Sequence, residues 1–426
     1  MDCSNSHCIL HLGDVLNHRY KIFRKLGSGS QATIWLAKDL VAGGYVAVKV
    51  HTTKDDPRVL QVTHHPNVEF LLDRFLIESA KGKHLCTVLE PLGRSLRDTI
   101  DEWLFNKPRS CEREYRRPPS VDENDRFQPH KWSLNMTREI CRQVLAGIDS
   151  LHSKGIAHRD IHPGNVAFAL SYAIDSRTID EIQQDGAWSV KWKGMPVGYD
   201  DWDAKNLELC EHDIFWNRPV NGKLLKPKEV KYSVCEAPLH DRLVFDELPP
   251  FRAVLIDLGF SLPFEECNEK LVGPSNYRAP EAILPIPVTY KADIFTTGIM
   301  FYEVVISRNI VWSHWNRHKH DDDRSTLDNN KYLKDLETKL GPMPKHFENI
   351  VPPPSLYNWN DEPVDEGDLD YGDMRLAARR DGPEDMTDIE LEAFVDLISQ
   401  MMQWEPEKRP DTKKLLEHPF FYTAPK

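Results

Sequence analysis

The chain has 426 residues, 40% hydrophobic and 28% charged, with 67 acidic against 54 basic side chains and a net charge of −13. That length suffices for two or more compact units of about 100–200 residues, and no apolar run approaches the roughly 20 residues of a membrane-spanning helix. The carboxylate surplus opposes direct binding of nucleic acid and favours a basic protein partner, although it would equally serve solubility alone.

Residues 1–17 form an N-terminal tail with neither the basic start nor the apolar stretch of a secretory signal, so the expected address is intracellular, cytoplasm and/or nucleus. The cysteines (Cys3, Cys8, Cys86, Cys111, Cys141, Cys210, Cys235 and Cys267) include no CxxC pair and read as reduced structural thiols. Strand-like runs begin at Tyr20: residues 20–26, then 32–37 and 45–50, which predict a three-stranded antiparallel meander. Residues 84–90 read as another apolar strand, ended by Pro91-Leu92-Gly93. Residues 95–103 and 134–152 carry helical spacing, the second with Ile140, Val144, Ile148 and Leu151 on one face, while 106–130 reads as loop. No period is sustained from about 171 to 250, an insertion between two motifs, and residues 352–380 form a second low-order stretch rich in acids and prolines.

Gly27-Ser28-Gly29 lies between two strands, where a glycine turn lets backbone N–H groups close over phosphates; alone, such a hairpin is more often a plain turn. Val46-Ala47-Val48-Lys49 on the next strand adds a lysine suited to neutralising those phosphates. In His158-Arg159-Asp160-Ile161-His162-Pro163-Gly164-Asn165, the spacing suits Asp160 to accept the proton of an attacking hydroxyl and Asn165 to hold magnesium. Asp257-Leu258-Gly259 follows the apolar run Ala253-Val254-Leu255-Ile256, so a buried strand delivers an acid into a glycine turn, as a carboxylate gripping Mg-ATP requires.

With Ala279-Pro280-Glu281, these motifs stand in the order of the eukaryotic protein kinases, which the chain resembles from about Tyr20 to Phe421. The long spacer before Asp257, the run Leu340-Gly341-Pro342-Met343-Pro344 and the ending Arg409-Pro410 to His418-Pro419-Phe420 are similar to SR-protein-specific serine/threonine kinases of the CMGC group, including a divergent fungal type. The resemblance implies a bilobal α+β fold: a small antiparallel-β lobe over 18–90, a mainly helical lobe over 91–421, a tail at 422–426, and ATP between the lobes. It implies Leu26, Gly27, Ser28, Gly29, Ile34, Ala47 and Lys49 around the nucleotide, with the backbone of Glu90 and Leu92 on adenine. It further implies Asn165 and Asp257 on Mg2+, Asp160, Lys49 and His162 as the catalytic set, Asp293 bracing the catalytic loop, and Arg409 paired with Glu281. A monomer acting on an Arg/Ser-rich protein substrate, without nucleic acid or membrane, is the corresponding expectation.

Three departures matter. His162 replaces the family's lysine that supports the γ-phosphate, which makes that contact dependent on pH near about 6.5. Pro274 stands where many kinases carry a phosphorylatable threonine. Residues 50–68 contain no glutamate and are too short for the full helix whose glutamate aims the strand lysine. Lys49 is then free to turn to solvent or to Asp257, and weak Mg-ATP binding is expected unless another acid, such as Glu69, supplies the pair. A serine/threonine protein kinase is the first expectation and a catalytically impaired pseudokinase or scaffold the second. A small-molecule phosphotransferase, suggested by the Asp160 to Asn165 string, is the third; Ala279-Pro280-Glu281 and Asp293 argue against it.

Overall fold

The computed structural model describes residues 7–29, 31–53, 64–105, 132–170, 174–176, 214–216, 232–234, 251–267, 273–307, 310, 329–348 and 374–422. Most of the spacer, the stretch 106–131 and the centre of the stretch after Lys49 lie outside the described residues.

Strands β1 (Val15–Leu16), β2 (Tyr20–Ser28), β3 (Ala32–Asp39), β4 (Tyr45–His51), β5 (Leu71–Ser79) and β6 (Gly82–Leu89) form one sheet in the order β1-β2-β3-β4-β6-β5. All its pairings are antiparallel, and the expected meander is β2-β3-β4. The central strand β4 is buried at all seven positions, so both faces are covered. Val46, Val48 and Val50 pack with Ile22, Trp35 and Val88, and with Leu12 and Leu16 from ahead of the meander. Because side chains alternate along a strand, Ala47, Lys49 and His51 share the opposite face. Burial is worth about 1.5–3 kcal/mol for each aliphatic side chain, so this layer fixes where Lys49 points.

A short strand β7 (Leu92–Ser95) leads into α1 (Leu96–Phe105) and the helical lobe. Helix α2 (Leu134–His152) starts at Ser133, whose hydroxyl accepts the Met136 N–H, and it buries Ile140, Val144, Ile148 and Leu151 as their spacing predicts. Strands β8 (Ile156–Ala157) and β9 (Val166–Ala169) flank the loop that follows α2. Within the spacer, β10 (Ile214–Trp216) pairs antiparallel with β11 (Tyr232–Val234). Beyond it come β12 (Ala253–Leu255), which joins β9 and β7 in a three-stranded sheet, and β13 (Leu262–Pro263), which pairs with β8.

Helix α3 (Lys291–Ile306) is buried at every position from Ala292 onward and forms the axis of the lobe, as expected of a helix apolar on all sides. Around it lie α4 (Asn329–Leu340), α5 (Lys345–Glu348), α6 (Met374–Asp381), α7 (Asp388–Met401) and α8 (Thr412–Leu416). Helix α7 opens on a capping box formed by Thr387 and Glu390. Residues 374–380 depart from the low-order reading of 352–380: they belong to α6, because Ala377 and Ala378 are buried and Ala378 joins the core of the lobe.

Arg409 binds Glu281 through two parallel bonds, Nη1 to Oε1 at 2.5 Å and Nη2 to Oε2 at 2.8 Å, with both side chains fully buried. The architecture is α+β and bilobal, an antiparallel sheet above a helical body. No helix among the described residues is long and apolar enough to cross a membrane.

Candidate active site

The loop from His158 to Asn165 is held from below. Asp293, in the first turn of α3, accepts the backbone N–H of His158 (2.7 Å) and of Arg159 (2.8 Å), and His152 Nε2 lies 3.0 Å from its Oδ2. Burial alone would raise the Asp293 pKa, but the His152 hydrogen bond, the neighbouring histidines and the backbone donors outweigh it and hold the carboxyl below its ordinary value. Arg159 takes a positive φ of 73° at the bend just ahead of Asp160. Asn165 Nδ2 donates to the Asp160 carbonyl (2.8 Å) and to Asp160 Oδ2 (2.9 Å). The second carboxylate oxygen, Asp160 Oδ1, is buried without a hydrogen-bond partner among the described residues. Gly273, at φ +104°, closes over it so tightly that a Cβ there would lie 2.5 Å from Asp160 Oδ1.

His162 Nδ1 accepts the Gly164 N–H at 3.0 Å, which places the proton of a neutral ring on Nε2, 3.5 Å from Asp160 Oδ1. Burial pulls the His162 pKa below the ordinary histidine range, against the upward pull of Asp160. The ring also explains its neighbour: a Cβ on Gly164 would come within 2.7 Å of His162 Cε1.

Strand β12 delivers Asp257 opposite this loop, and the Ile256 N–H donates to the Asn165 carbonyl at 2.9 Å. Asp257 is left-handed (φ 65°, ψ 64°), which turns its carboxylate back toward the sheet. Lys49 Nζ donates to Asp257 Oδ1 at 2.6 Å, so of the two orientations expected for an unaimed lysine, the structure has the one on Asp257. Burial would raise the Asp257 pKa, but the Lys49 charge and hydrogen bond, with His158 and the Gly259 N–H, hold it lower. Glu69, half-buried just before β5, accepts the Leu258 N–H at 2.9 Å. Its pKa is raised by burial, against the opposing pull of Lys49 and the Leu258 N–H.

The residues expected around the nucleotide lie along the sheet above. Ile34 pairs with Lys49 across β3 and β4, and Ala47 pairs with Leu89 across β4 and β6. Gly27 and Gly29 have no atom within 4 Å of a Cβ built on them, so the turn they form with Ser28 borders open space. His7 Nε2 lies 3.1 Å from the Gly29 carbonyl. Leu26 packs against a small cluster of Leu36, Tyr45 and Ile174. At the lobe connection the Glu90 side chain binds Arg252, and Leu92 opens β7, opposite Ala169.

The donors suit the groups the family would bring. Asn165 commits its amide nitrogen to Asp160 and keeps its amide oxygen for a cation, and Asp257 adds carboxylate oxygens, an oxygen-only set appropriate to magnesium. The orphaned Asp160 Oδ1 suits a hydroxyl donor. The structure brings together Lys49 with Asp257, and Asp160 with His162 and Asn165; Glu90 and Leu92 stand apart at the lobe connection. Sequence reasoning passed over Gly273 and Ile174–Asp175. Gly273 carried a local signal, a glycine just ahead of Pro274, whereas nothing local marks the other two.

A sequence profile described as the protein kinase domain matches residues 250–421. Curated relatives align along nearly the whole chain at low identity. A serine/threonine protein kinase of Aspergillus fumigatus is 24% identical over 96% of this chain and 86% of its own length. The serine/threonine-protein kinase SRPK of Physarum polycephalum is 27% identical over 97% and 88%, and the dual specificity protein kinase CLK1 of Homo sapiens 25% over 99% and 69%. A crystal structure of a kinase domain superposes with a TM-score of 0.59 at 16% identity, covering 98% of this chain and 99% of that one, a likeness of fold. Profile, relatives and fold agree with the order of motifs along the chain: residues 250–421 match the protein kinase domain, and serine/threonine kinases of SRPK and CLK type are among the relatives at 24–27% identity.

Proposed function

We propose that the chain is an ATP-dependent serine/threonine protein kinase that acts on Arg/Ser-rich protein substrates. The observation that carries this reading is Asp160 Oδ1, buried without a hydrogen-bond partner among the described residues, while Asn165 holds the other carboxylate oxygen. In the transfer, the substrate hydroxyl oxygen bonds to the γ-phosphorus, its proton passes to Asp160 Oδ1, and the bond from that phosphorus to the bridging oxygen of departing ADP breaks. Asn165 and Asp257 would hold magnesium, which when bound neutralises phosphate charge. Lys49 must leave Asp257 to meet the α- and β-phosphates. His162, uncharged at neutral pH, offers an Nε2–H donor where the family's lysine offers a cation. The preference for basic substrates is supported by the net charge of −13 and by the SRPK-type relative.

A second reading, a nucleotide-binding pseudokinase, is favoured by the 2.6 Å pair of Lys49 and Asp257, which occupies the phosphate lysine and the metal carboxylate together. Radiolabel transfer from Mg-ATP to an Arg/Ser-rich protein separates the two. Transfer is expected to exceed that to an acidic peptide and to fall at least about 100-fold in Asp160→Asn, in line with the loss of a general base. Retained Mg-ATP binding with no transfer to either substrate would decide for the pseudokinase.

A further inference from the structure

A lysine that neutralises phosphates needs a carboxylate to aim it, and that carboxylate cannot be the one that binds the metal. Lys49 is paired with Asp257, the expected metal ligand, and residues 50–68 supply no glutamate. Another acid is built into the same place. The segment before β5 is stitched to β12: the Leu255 N–H donates to the Asn67 carbonyl (2.9 Å), and the Glu69 N–H donates to the Leu255 carbonyl (2.8 Å). Val68 and Leu255 form a parallel bridge, and Asn67 Nδ2 donates to the Ala253 carbonyl at 2.8 Å. The strand that delivers Asp257 therefore also fixes the backbone of Glu69. From there the Glu69 carboxylate reaches the Leu258 N–H, the first backbone donor after Asp257. Glu69 and Lys49 thus grip the same turn at adjacent residues, Glu69 through the Leu258 N–H and Lys49 through Asp257 Oδ1.

We propose that Glu69 is the positioning carboxylate of this site, standing in for the missing helix glutamate: it anchors the turn after Asp257 and takes over the Lys49 ammonium when a divalent cation claims Asp257. The exchange needs no movement of a helix. The Lys49 side chain alone switches from the metal ligand to the acid beside it, which leaves Asp257 to the cation and the ammonium near the phosphates. The inference rests on the kinase reading and adds to it the residue that makes Lys49 usable.

The test is a double-mutant cycle on the full chain with Lys49→Met and Glu69→Gln, reading Mg-ATP affinity and kcat separately from Tm. Glutamine keeps an oxygen acceptor for the Leu258 N–H and removes only the charge. In the unaltered background Lys49→Met is expected to weaken Mg-ATP by about tenfold or more, and in the Glu69→Gln background by less than about twofold, the signature of coupled residues. Glu69→Asp, which keeps the charge, should restore part of that dependence on Lys49, and Glu69→Ala replaces the glutamine variant in the cycle if that variant does not fold. Additive losses, or a Glu69 effect confined to Tm, would overturn the role of Glu69 while leaving the kinase reading intact. If the unaltered chain does not bind Mg-ATP and Asp257→Ala changes nothing, both fall together.

Discussion

Asp160 and Gly273 are in contact across more than a hundred residues of chain, and the contact tolerates no side chain. A Cβ at Gly273 would sit 2.5 Å from Asp160 Oδ1, on a backbone whose φ of +104° L-residues avoid. If Asp160 is the base proposed above, Gly273→Ala should displace its carboxylate and lower phosphoryl transfer by about 100-fold, the loss typical of a misplaced catalytic group, with Mg-ATP binding unchanged by thermal shift. Near-wild-type kcat in that variant would show that the two do not meet during turnover. His51, on the same face of β4 as Lys49, gives a pH dependence. Burial, and then the charge of Lys49, depress its pKa to about 4 against an upward pull from Asp257. Since the folded pKa lies below the unfolded one, the stabilisation is complete above about pH 6.5 and is lost as pH falls toward 4, roughly 3 kcal/mol in all. Tm measured from pH 7 to 4 should therefore drop less steeply in His51→Gln than in the unaltered chain; parallel curves would remove His51 as the cause.

At the scale of elements, the first turn of the spacer belongs to the core. Ile174 packs on Leu36 and Tyr45 of the upper lobe, and Asp175 Oδ1 accepts the Tyr45 N–H at 2.6 Å. Strand β9, which leaves the loop of Asp160 and Asn165, is thereby tied through Leu170 and Ile174 to the hairpin between β3 and β4, beside Leu26. An insertion that only looped out would not be held to the opposite lobe. Asp175→Ala removes a charged acceptor worth roughly 1–3 kcal/mol, so hydrogen exchange at the Tyr45 amide should quicken and Tm should fall. A deletion that starts at residue 175 removes this contact, whereas one that starts after Ser176 keeps it. Unchanged exchange at Tyr45 in Asp175→Ala would show that the hairpin holds without the spacer.

At the scale of the whole molecule, the meander of β2, β3 and β4, the strand at 84–90, the helix at 134–152, and the two loops carrying Asp160 and Asp257 were legible in the sequence, whereas β5 at Leu71–Ser79 and its place at the sheet edge were not. The legible features depend on periodicity and on residues within a few positions of one another, so they survive without knowledge of the packing. The buried pair of Arg409 and Glu281 was legible only through the resemblance, because nothing in the spacing of two charges 128 residues apart says that they meet. Composition alone misread residues 374–380, where two buried alanines outweigh a run of charges. What the tertiary structure alone decided are the partners. Lys49 rests on Asp257, 208 residues away, and Glu69 caps Leu258, 189 residues away, because a parallel bridge between Val68 and Leu255 brings the segment before β5 against the strand that carries Asp257. A sequence shows which side chains have the chemistry; which of two nearby carboxylates a lysine chooses is a matter of distance and burial, and those exist only once the lobes have packed.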